Sequence, residues 1–192
     1  ISNNKYQGLK NGLLFISHKN PRKLLAELSS KIYSEKPKNL VAVTGTNGKS
    51  SIANFFHQIL TLNKKKVSSI GTLGININKK KIKTNNTTLD SISINKYLNL
   101  IKKKKTNNVI LEASSHGLKQ HRLDYLKFDI GIFTNLSRDH LDYHKSFKDY
   151  LNSKLILFKK LMKKKSTIIF SNNIPQSKLL KKICKKKRFK FV

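Results

Sequence analysis

The apolar residues of this chain occur mainly in short continuous runs, which alternate with longer stretches where they recur at helical spacing. Short apolar runs rich in β-branched residues and bounded by polar residues are typical of buried strands. Such runs predict strands at residues 13–17, 40–43, 67–70, 109–111, 128–133, 167–170 and 189–192.

The intervening stretches have the spacing of amphipathic helices. They predict helices at residues 21–32, 49–62, 92–101, 147–161 and 178–183. Asn20 is a suitable N-cap for the first helix, and Pro21 fits its first position. Residues 76–88 are polar, and we predict an irregular segment there. Because strands alternate with helices, the fold class is predicted to be α/β, with a parallel sheet covered by helices on both faces.

The most informative stretch is residues 40–51, Leu-Val-Ala-Val-Thr-Gly-Thr-Asn-Gly-Lys-Ser-Ser. A strand, a glycine turn and a helix N-terminus together form a site at which backbone N–H groups and the helix dipole favour a phosphate. Lys49 can then reach the outer phosphates, and the Ser50 hydroxyl can hold Mg²⁺. The strict P-loop pattern has Gly where Val43 stands, so this is a variant loop. We predict nucleotide binding here.

Other chemically active side chains follow two later strands, where a parallel sheet gathers its ligands. Glu112 ends the run at 109–111, and a carboxylate beside a phosphate loop is a common second anchor for Mg²⁺. It can equally be a helix cap or an ordinary loop acid. The stretch 134–144 contains four possible metal ligands, which can equally be helix caps and surface polar residues. These are Asp139, His140, Asp142 and His144.

Composition adds a large positive charge, formally +32. Such a charge often indicates nucleic-acid binding, but only four of the 41 Lys and Arg residues are Arg, and the lysine runs lack interleaved aromatic residues. Lys, Asn and Ile share A- and T-rich codons, so a genomic base bias explains the excess, and solvated lysines are the expected outcome. We therefore expect no nucleic-acid partner.

Cysteine content and hydropathy indicate the compartment. A single cysteine, Cys184, excludes a disulfide framework and fits a reducing cytoplasm. No run approaches the roughly 18 apolar residues of a membrane span, and no signal peptide is visible. We expect a cytoplasmic monomer without a membrane partner. The chain begins at Ile1 and its one Met is Met162, so we expect that the native N-terminus is missing.

Taken together, these segments resemble the Mur ligases, the ATP-dependent amide-bond-forming enzymes of peptidoglycan synthesis. Residues 45–51 resemble the phosphate loop of that family. The stretches 111–122 (Leu-Glu-Ala-Ser-Ser-His-Gly-Leu-Lys-Gln-His-Arg) and 133–144 (Phe-Thr-Asn-Leu-Ser-Arg-Asp-His-Leu-Asp-Tyr-His) are similar to the MurE branch. That branch adds the third amino acid, commonly meso-diaminopimelate, to UDP-N-acetylmuramoyl-L-alanyl-D-glutamate.

The resemblance implies a role for each matching position. ATP would be held by Gly45, Thr46, Asn47, Gly48, Lys49, Ser50 and Ser51. Mg²⁺ would be held by Ser50, Glu112, His140 and Lys154, with Lys154 carbamylated so that it carries a carboxylate. The UDP-muramoyl-dipeptide would be held by Asn86, Thr87, Thr88, Ser114, Gln120 and Arg122. Lys49, His140 and Lys154 would serve catalysis.

The resemblance also implies a domain division and leaves alternatives open. Residues 1–19 would be the end of an N-terminal UDP-binding domain, 20–39 a helix and linker, and 40–192 an incomplete central ATP-binding domain. The C-terminal domain that binds the amino acid would be absent.

Leu89 replaces a proline that many members have, which leaves the rigidity of that loop open. The alternatives are a folylpolyglutamate-synthetase-like ligase, against which the run at 120–122 argues, and a truncated nucleotide-binding chain without turnover.

Overall fold

A computed structural model describes residues 6–77, 80–140 and 142–192. Within them, eight strands form one sheet, in the order β10-β9-β8-β3-β7-β4-β5-β6, and a separate hairpin pairs β1 with β2. The strands are β1 (Gly8–Lys10), β2 (Leu13–Phe15), β3 (Asn39–Thr44), β4 (Val67–Gly71), β5 (Gly74–Ile77), β6 (Lys80–Ile82), β7 (Asn108–Glu112), β8 (Phe128–Phe133), β9 (Met162–Phe170) and β10 (Lys190–Phe191).

The helices alternate with the parallel strands, as the sequence predicts. They are α1 (Pro21–Ile32), α2 (Lys49–Leu62), α3 (Ser91–Lys103), α4 (Ser115–Lys119), α5 (Phe147–Ile156) and α6 (Ser177–Lys187). Side-chain caps fix several starts: Asn20 accepts from Lys23 N, Asp90 from Ser93 N, and Ser146 from Asp149 N. Each cap satisfies an N–H group that the helix itself leaves unpaired.

The sheet is parallel from β10 through β4, and the predicted α/β class is confirmed. The expectation that residues 76–88 are irregular is wrong for part of that range. β5 and β6 extend the sheet as an antiparallel edge, with Ile75 opposite Ile82. Ile75 and Ile77 do alternate with Asn76 in β5, but the alternation is too short to predict a strand, and β6 contributes two lysines and one apolar residue. Residues 78 and 79 lie outside the described residues.

Two apolar layers sandwich the sheet. On one face, Ala53, Ile52 and Phe56 of α2 pack against Val41, Val43 and Ile110. On the other face, α3, α5 and α6 bury the larger cluster, to which Ile94, Leu98 and Leu155 contribute. Burial at about 25 cal/mol per Å² of apolar surface makes this layering the main source of stability.

The predicted helix at 147–161 ends earlier than expected. The α-helix stops at Ile156, and Leu157–Leu161 form a single π-helical turn that leads into β9. β9 then bulges against β8, because Met162 pairs with Phe128 while Thr167 pairs with Ile130. The lysines at 163–165 occupy that bulge rather than a loop. No helix of the described residues is long and apolar enough to cross a bilayer.

Candidate functional site

The chemically active loops meet at the carboxyl ends of β3, β7 and β8, which are neighbours in the sheet. Backbone hydrogen bonds join them directly: Ala113 N donates to Val43 O (2.8 Å), and Thr134 N donates to Thr44 O (3.0 Å). The sheet therefore brings the predicted phosphate loop, Glu112 and the stretch after Phe133 to one edge, as expected for an open α/β sheet.

Glycine is required at the start of the phosphate loop. Gly45 has a φ of +150°, and a Cβ there would lie 1.8 Å from Thr134 Oγ1. Gly48 has a φ of +83° and is the N-cap of α2, where no side chain caps the helix. The first N–H groups of α2 are therefore not used by a capping side chain, as an anion site requires.

The loop that follows β8 is hydrogen-bonded to the phosphate loop. Asn135 Oδ1 accepts from Asn47 N (3.0 Å), and Thr134 Oγ1 donates to Asn47 O (2.7 Å). Thr46 is buried, and its hydroxyl lies 3.1 Å from Tyr150 Oη. Of the predicted nucleotide residues, Asn47, Gly48 and Ser51 are exposed.

The Lys49 side chain folds over this loop. Its Nζ donates to Gly45 O (3.0 Å) and Thr46 O (2.6 Å). Burial lowers the pKa of Lys49, while the nearby carboxylates of Glu112 and Asp139 act in the opposite direction. The amino group is thus held against the backbone carbonyls of the loop.

Glu112 is buried and fully engaged at the end of β7. Ser50 Oγ donates to its Oε2 (2.9 Å), and Thr72 donates through both N (to Oε1, 2.9 Å) and Oγ1 (to Oε2, 3.1 Å). Gly71 is needed for this arrangement, because a Cβ there would lie 2.1 Å from Glu112 Oε1. The two predicted Mg²⁺ ligands, Ser50 and Glu112, are therefore in direct contact, and a hydroxyl beside a carboxylate is a donor set that fits a hard cation.

Lys154 of α5 also reaches the phosphate loop. Its side chain is 1% exposed, and Nζ donates to Gly45 O at 2.6 Å. The amino group also lies 4.3 Å from the centroid of the Tyr150 ring. Burial, with a contribution from the charge of Lys49, lowers the pKa of Lys154 to about 7. A buried lysine that is partly neutral near pH 7 is chemically unlike the surface lysines of this chain.

The predicted muramoyl-dipeptide residues line a cleft of about 260 Å³ beside this centre. The side chains around it are those of Asn85, Asn86, Thr87, Thr88, Ser114, His116, Arg122 and His140. A second cleft of about 240 Å³ shares Asn86 and Arg122 and extends to Gln120 and to Arg22 of α1. The structure thus brings all six residues of that prediction to two adjoining clefts.

A hydrogen-bond network fixes the wall between β7 and these clefts. Thr88 Oγ1 donates to Glu112 O (2.7 Å) and accepts from Ser114 N (2.9 Å). Arg122 donates to Thr88 O (2.5 Å) and to Gln120 Oε1 (2.7 Å). Ser114 is also the N-cap of α4, accepting from Gly117 N (3.1 Å), so it has a structural role as well as a place in the cleft.

The predicted metal residues are not all gathered in one cluster. His140 is exposed, has a left-handed backbone with φ of 52°, and its Nε2 lies 3.5 Å from Asp139. His144, another possible ligand, is buried against Ser115. Among the described residues, no group of three or more His, Cys, Asp or Glu side chains is arranged to hold a metal ion.

Sequence reasoning missed several residues of the site. His116 lines the larger cleft, with its ring centroid 5.0 Å from that of His140 and 3.9 Å from that of Tyr143. Burial lowers the pKa of His116, and the neighbouring His140 adds to the effect. Its place in the Ser-Ser-His-Gly run was the available signal. Thr72 and Tyr150 gave no signal, because their contacts are made only in the folded chain.

Comparison with known proteins supports a single family. The profile of the Mur ligase middle domain matches residues 43–192. A UDP-N-acetylmuramoyl-L-alanyl-D-glutamate–2,6-diaminopimelate ligase from Wigglesworthia glossinidia brevipalpis is 45% identical over 139 residues, which are 71% of this chain and 28% of that protein. The chain therefore spans less than a third of the length of this relative.

Solved structures agree on the fold. A UDP-N-acetylmuramoyl-L-alanyl-D-glutamate–2,6-diaminopimelate ligase superposes with a TM-score of 0.79 at 28% identity, covering 92% of this chain and 37% of that one. Escherichia coli FolC, in complex with DHPP and ADP, has a TM-score of 0.68 at 16% identity, covering 92% and 47%; this second likeness concerns the fold alone. The profile match, which extends over most of the sequence, shows that the chain belongs to the Mur ligase family.

Proposed function

We propose that this chain carries the ATP-binding centre of a ligase that adds the third amino acid, meso-diaminopimelate, to UDP-N-acetylmuramoyl-L-alanyl-D-glutamate. The observation that carries the proposal is the convergence of Lys49 and Lys154 on Gly45 O, at 3.0 and 2.6 Å. One buried and one half-buried amino group on a single loop carbonyl suit a site for anionic reactants. The names of the relatives support the choice of substrate.

In the proposed reaction, the D-glutamyl γ-carboxylate attacks the γ-phosphorus of ATP, and ADP leaves. The neutral amine of the incoming amino acid then attacks the acyl phosphate carbon to form the C–N bond. The C–O bond breaks, inorganic phosphate leaves, and the nitrogen loses one proton. Phosphoryl transfer depends mostly on positioning and charge neutralisation. Lys49 would hold the transferred phosphate, and the free N–H groups at the start of α2 would hold the others.

The residues around Glu112 fit a divalent cation. Ser50 and Glu112 would hold Mg²⁺, which supplies charge neutralisation on the phosphate oxygens when bound. The Ser50–Glu112 contact of 2.9 Å and the tight fit of Gly71 against Glu112 keep this pair in position. His140, which lines the larger cleft, would be a further ligand of the cation.

Lys154 would act as a carbamate. A neutral amine attacks CO₂ to form a C–N bond, and loss of one proton from nitrogen leaves an anionic carbamate. The lowered pKa of Lys154, about 7, supplies the neutral amine near neutral pH. The new carboxylate would then offset the positive charge of Lys49 and provide a ligand for a cation.

The two clefts beside Glu112 would hold the muramoyl-dipeptide. Arg122 and Gln120 would offer donors for its carboxylates and amides, while Thr87, Thr88 and Ser114 line the larger cleft. His116 would be a further contact. Together these residues would hold the γ-carboxylate close to the ATP phosphates.

The domain assignment belongs to the same proposal. Residues 1–19 would end a UDP-binding domain, 20–39 would form a helix and linker, and 40–192 would be the greater part of the central ATP-binding domain. The amine would be bound by parts of the ligase outside these residues. We therefore expect the 192-residue chain alone to give no tripeptide product.

The test is an assay of the complete ligase with ATP, Mg²⁺, the UDP-muramoyl-dipeptide and either diaminopimelate or lysine, followed by mass analysis. The expected product is the tripeptide with diaminopimelate, together with ADP. Lys49→Ala should lower the rate by about 10²–10³-fold, whereas Lys66→Ala, at an exposed lysine beyond α2, should leave it unchanged. Amide formation with a folyl substrate and glutamate instead would overturn the proposal.

A further inference from the structure

His144 is the most completely buried ionisable side chain near the site that the proposed chemistry does not use. Its side chain is 0% exposed. Nε2 lies 2.9 Å from Ser115 Oγ, and Nδ1 lies 3.5 Å from Asp149 Oδ2. Its backbone N donates to His140 O at 3.0 Å. Nε2 and the packing of the ring fix the orientation of this buried imidazole, whereas Nδ1 makes no hydrogen bond with the described residues. A buried polar side chain of this kind calls for an explanation.

The Ser115–His144–Asp149 connectivity is that of a hydrolase triad, but the environment excludes that activity. Ser115 is 1% exposed, so its hydroxyl has no path to a substrate. Asp149 Oδ2 also accepts from Lys119 Nζ (2.5 Å) and Lys145 N (3.2 Å). Ser115 and His144 are closed off from solvent, and Asp149 is already paired with Lys119, as expected of a structural connection.

The connection joins the two halves of the proposed site. Ser115 is the first residue of α4, between Ser114 and His116, which both line the larger cleft. Asp149 lies in the first turn of α5, the helix that carries Lys154. His144 therefore connects the wall of the larger cleft, which we call the acceptor cleft because it would hold the muramoyl-dipeptide, to the helix that carries Lys154.

Ring packing extends the connection to the phosphate loop. The centroid of the His144 ring lies 5.0 Å from that of Tyr150. Tyr150 Oη lies 3.1 Å from Thr46 Oγ1, and the Lys154 amino group lies over the same tyrosine ring. From the cleft wall to the phosphate loop there are thus two intervening side chains, both fully buried.

We propose that His144 is a positioning residue that sets the distance between the acceptor cleft and the phosphate-binding centre. The inference rests on the proposed function, because it concerns the approach of a carboxylate to the ATP γ-phosphate. Such reactions need reacting atoms within about 3–3.5 Å, and a misplacement of about 1 Å can cost about 10²-fold in rate. Loss of His144 should therefore lower kcat much more than it weakens ATP binding.

The experiment compares three variants of the complete ligase at a temperature well below unfolding. His144→Ala should lower kcat by about tenfold or more with the KM for ATP within about threefold of the wild-type value. His144→Gln, whose amide can still pair with Ser115, should recover most of that loss. Leu180→Ala, at a buried position of α6 far from the site, is the control for lost stability and should keep kcat.

The rate of the wild-type ligase tests the proposed function by itself. The effect of each variant is then the ratio of its kcat to the wild-type kcat, measured on whichever acid the ligase phosphorylates. If His144→Ala does not fold, Ser115→Ala removes the same hydrogen bond and should lower kcat by about threefold to tenfold. The inference is overturned if His144→Ala, or Ser115→Ala in its place, behaves like Leu180→Ala. It is equally overturned if the loss appears only in the KM for ATP.

Discussion

Lys154 Nζ donates a 2.6 Å hydrogen bond to the carbonyl oxygen of Gly45, although 109 positions separate the two residues. The bond places a buried amino group of α5 on the first residue of the phosphate loop. Burial lowers the pKa of this amine to about 7, so it is partly neutral under ordinary conditions. The same contact supports two separate predictions.

The first prediction concerns the chemistry of Lys154. In the complete ligase, Lys154→Ala should be nearly inactive, because the carbamate would be lost, and acetate or another short-chain carboxylate should partly restore the rate. Lys148→Ala, at an exposed position of the same helix, is the matched control and should be fully active. An inactive Lys154→Ala variant without rescue, together with an unmodified Lys154 by mass analysis, would contradict the carbamate.

The second prediction concerns stability and pH. An ordinary lysine has a pKa of 10.5, so between about pH 7 and 10.5 the unfolded chain binds a proton that the folded chain does not. The contribution of Lys154 to the free energy of unfolding should therefore rise with pH in that window, by up to about 1.4 kcal/mol per pH unit. Below about pH 7 Lys154 is protonated in both states, and burial of the charged amine then destabilises the folded chain by its full amount.

Denaturant unfolding in CO₂-free buffer measures this contribution. The free energy of unfolding of the wild-type protein should rise with pH relative to that of Lys154→Met between pH 7 and 10.5. Lys148→Met should run parallel to the wild type. Parallel curves for Lys154→Met would mean that the pKa of Lys154 is not lowered.

The third prediction concerns Gly71, whose added Cβ would lie 2.1 Å from Glu112 Oε1. Gly71→Ala should displace the carboxylate from Ser50 and raise the Mg²⁺ concentration needed for half-maximal rate by about tenfold. Gly131→Ala is the control, because its Cβ would meet Met162 and Phe158 in the core at 3.0 Å. That variant should lose stability and keep its Mg²⁺ dependence. If Gly71→Ala needs the same Mg²⁺ concentration as the wild type for half-maximal rate, the proposal that Glu112 binds the cation is contradicted.

Local signals account for the parts of the fold that the sequence predicts well. Pro21 and Asn20 fix the start of α1, and the apolar run before Gly45 fixes β3. The β5–β6 edge was missed because the alternation of Ile75 and Ile77 covers only one short strand and the following residues are mostly lysine and asparagine. The end of α5 was missed because the π-helical turn at Leu157–Leu161 keeps the apolar spacing of a helix while it changes the hydrogen bonding.

The candidate site also contains residues with a local sequence signal and residues without one. The phosphate loop is contiguous, so its residues can be read from their order. Thr72 on Glu112, and Asn135 on Asn47, lie 40 and 88 positions from their partners. Lys154 had no local signal at all, and only the resemblance to a family selected it from the other lysines.

The measurement that tests the proposed reaction most directly follows oxygen from the dipeptide to phosphate. The complete ligase is supplied with ATP, Mg²⁺, diaminopimelate and UDP-muramoyl-dipeptide whose D-glutamyl γ-carboxylate carries ¹⁸O at both oxygens. Attack of the carboxylate on ATP, followed by displacement by the amine, should leave one ¹⁸O in the released phosphate and one in the new amide. Formation of the tripeptide with unlabelled phosphate would show that the carboxylate is not phosphorylated, and would contradict the assigned reaction.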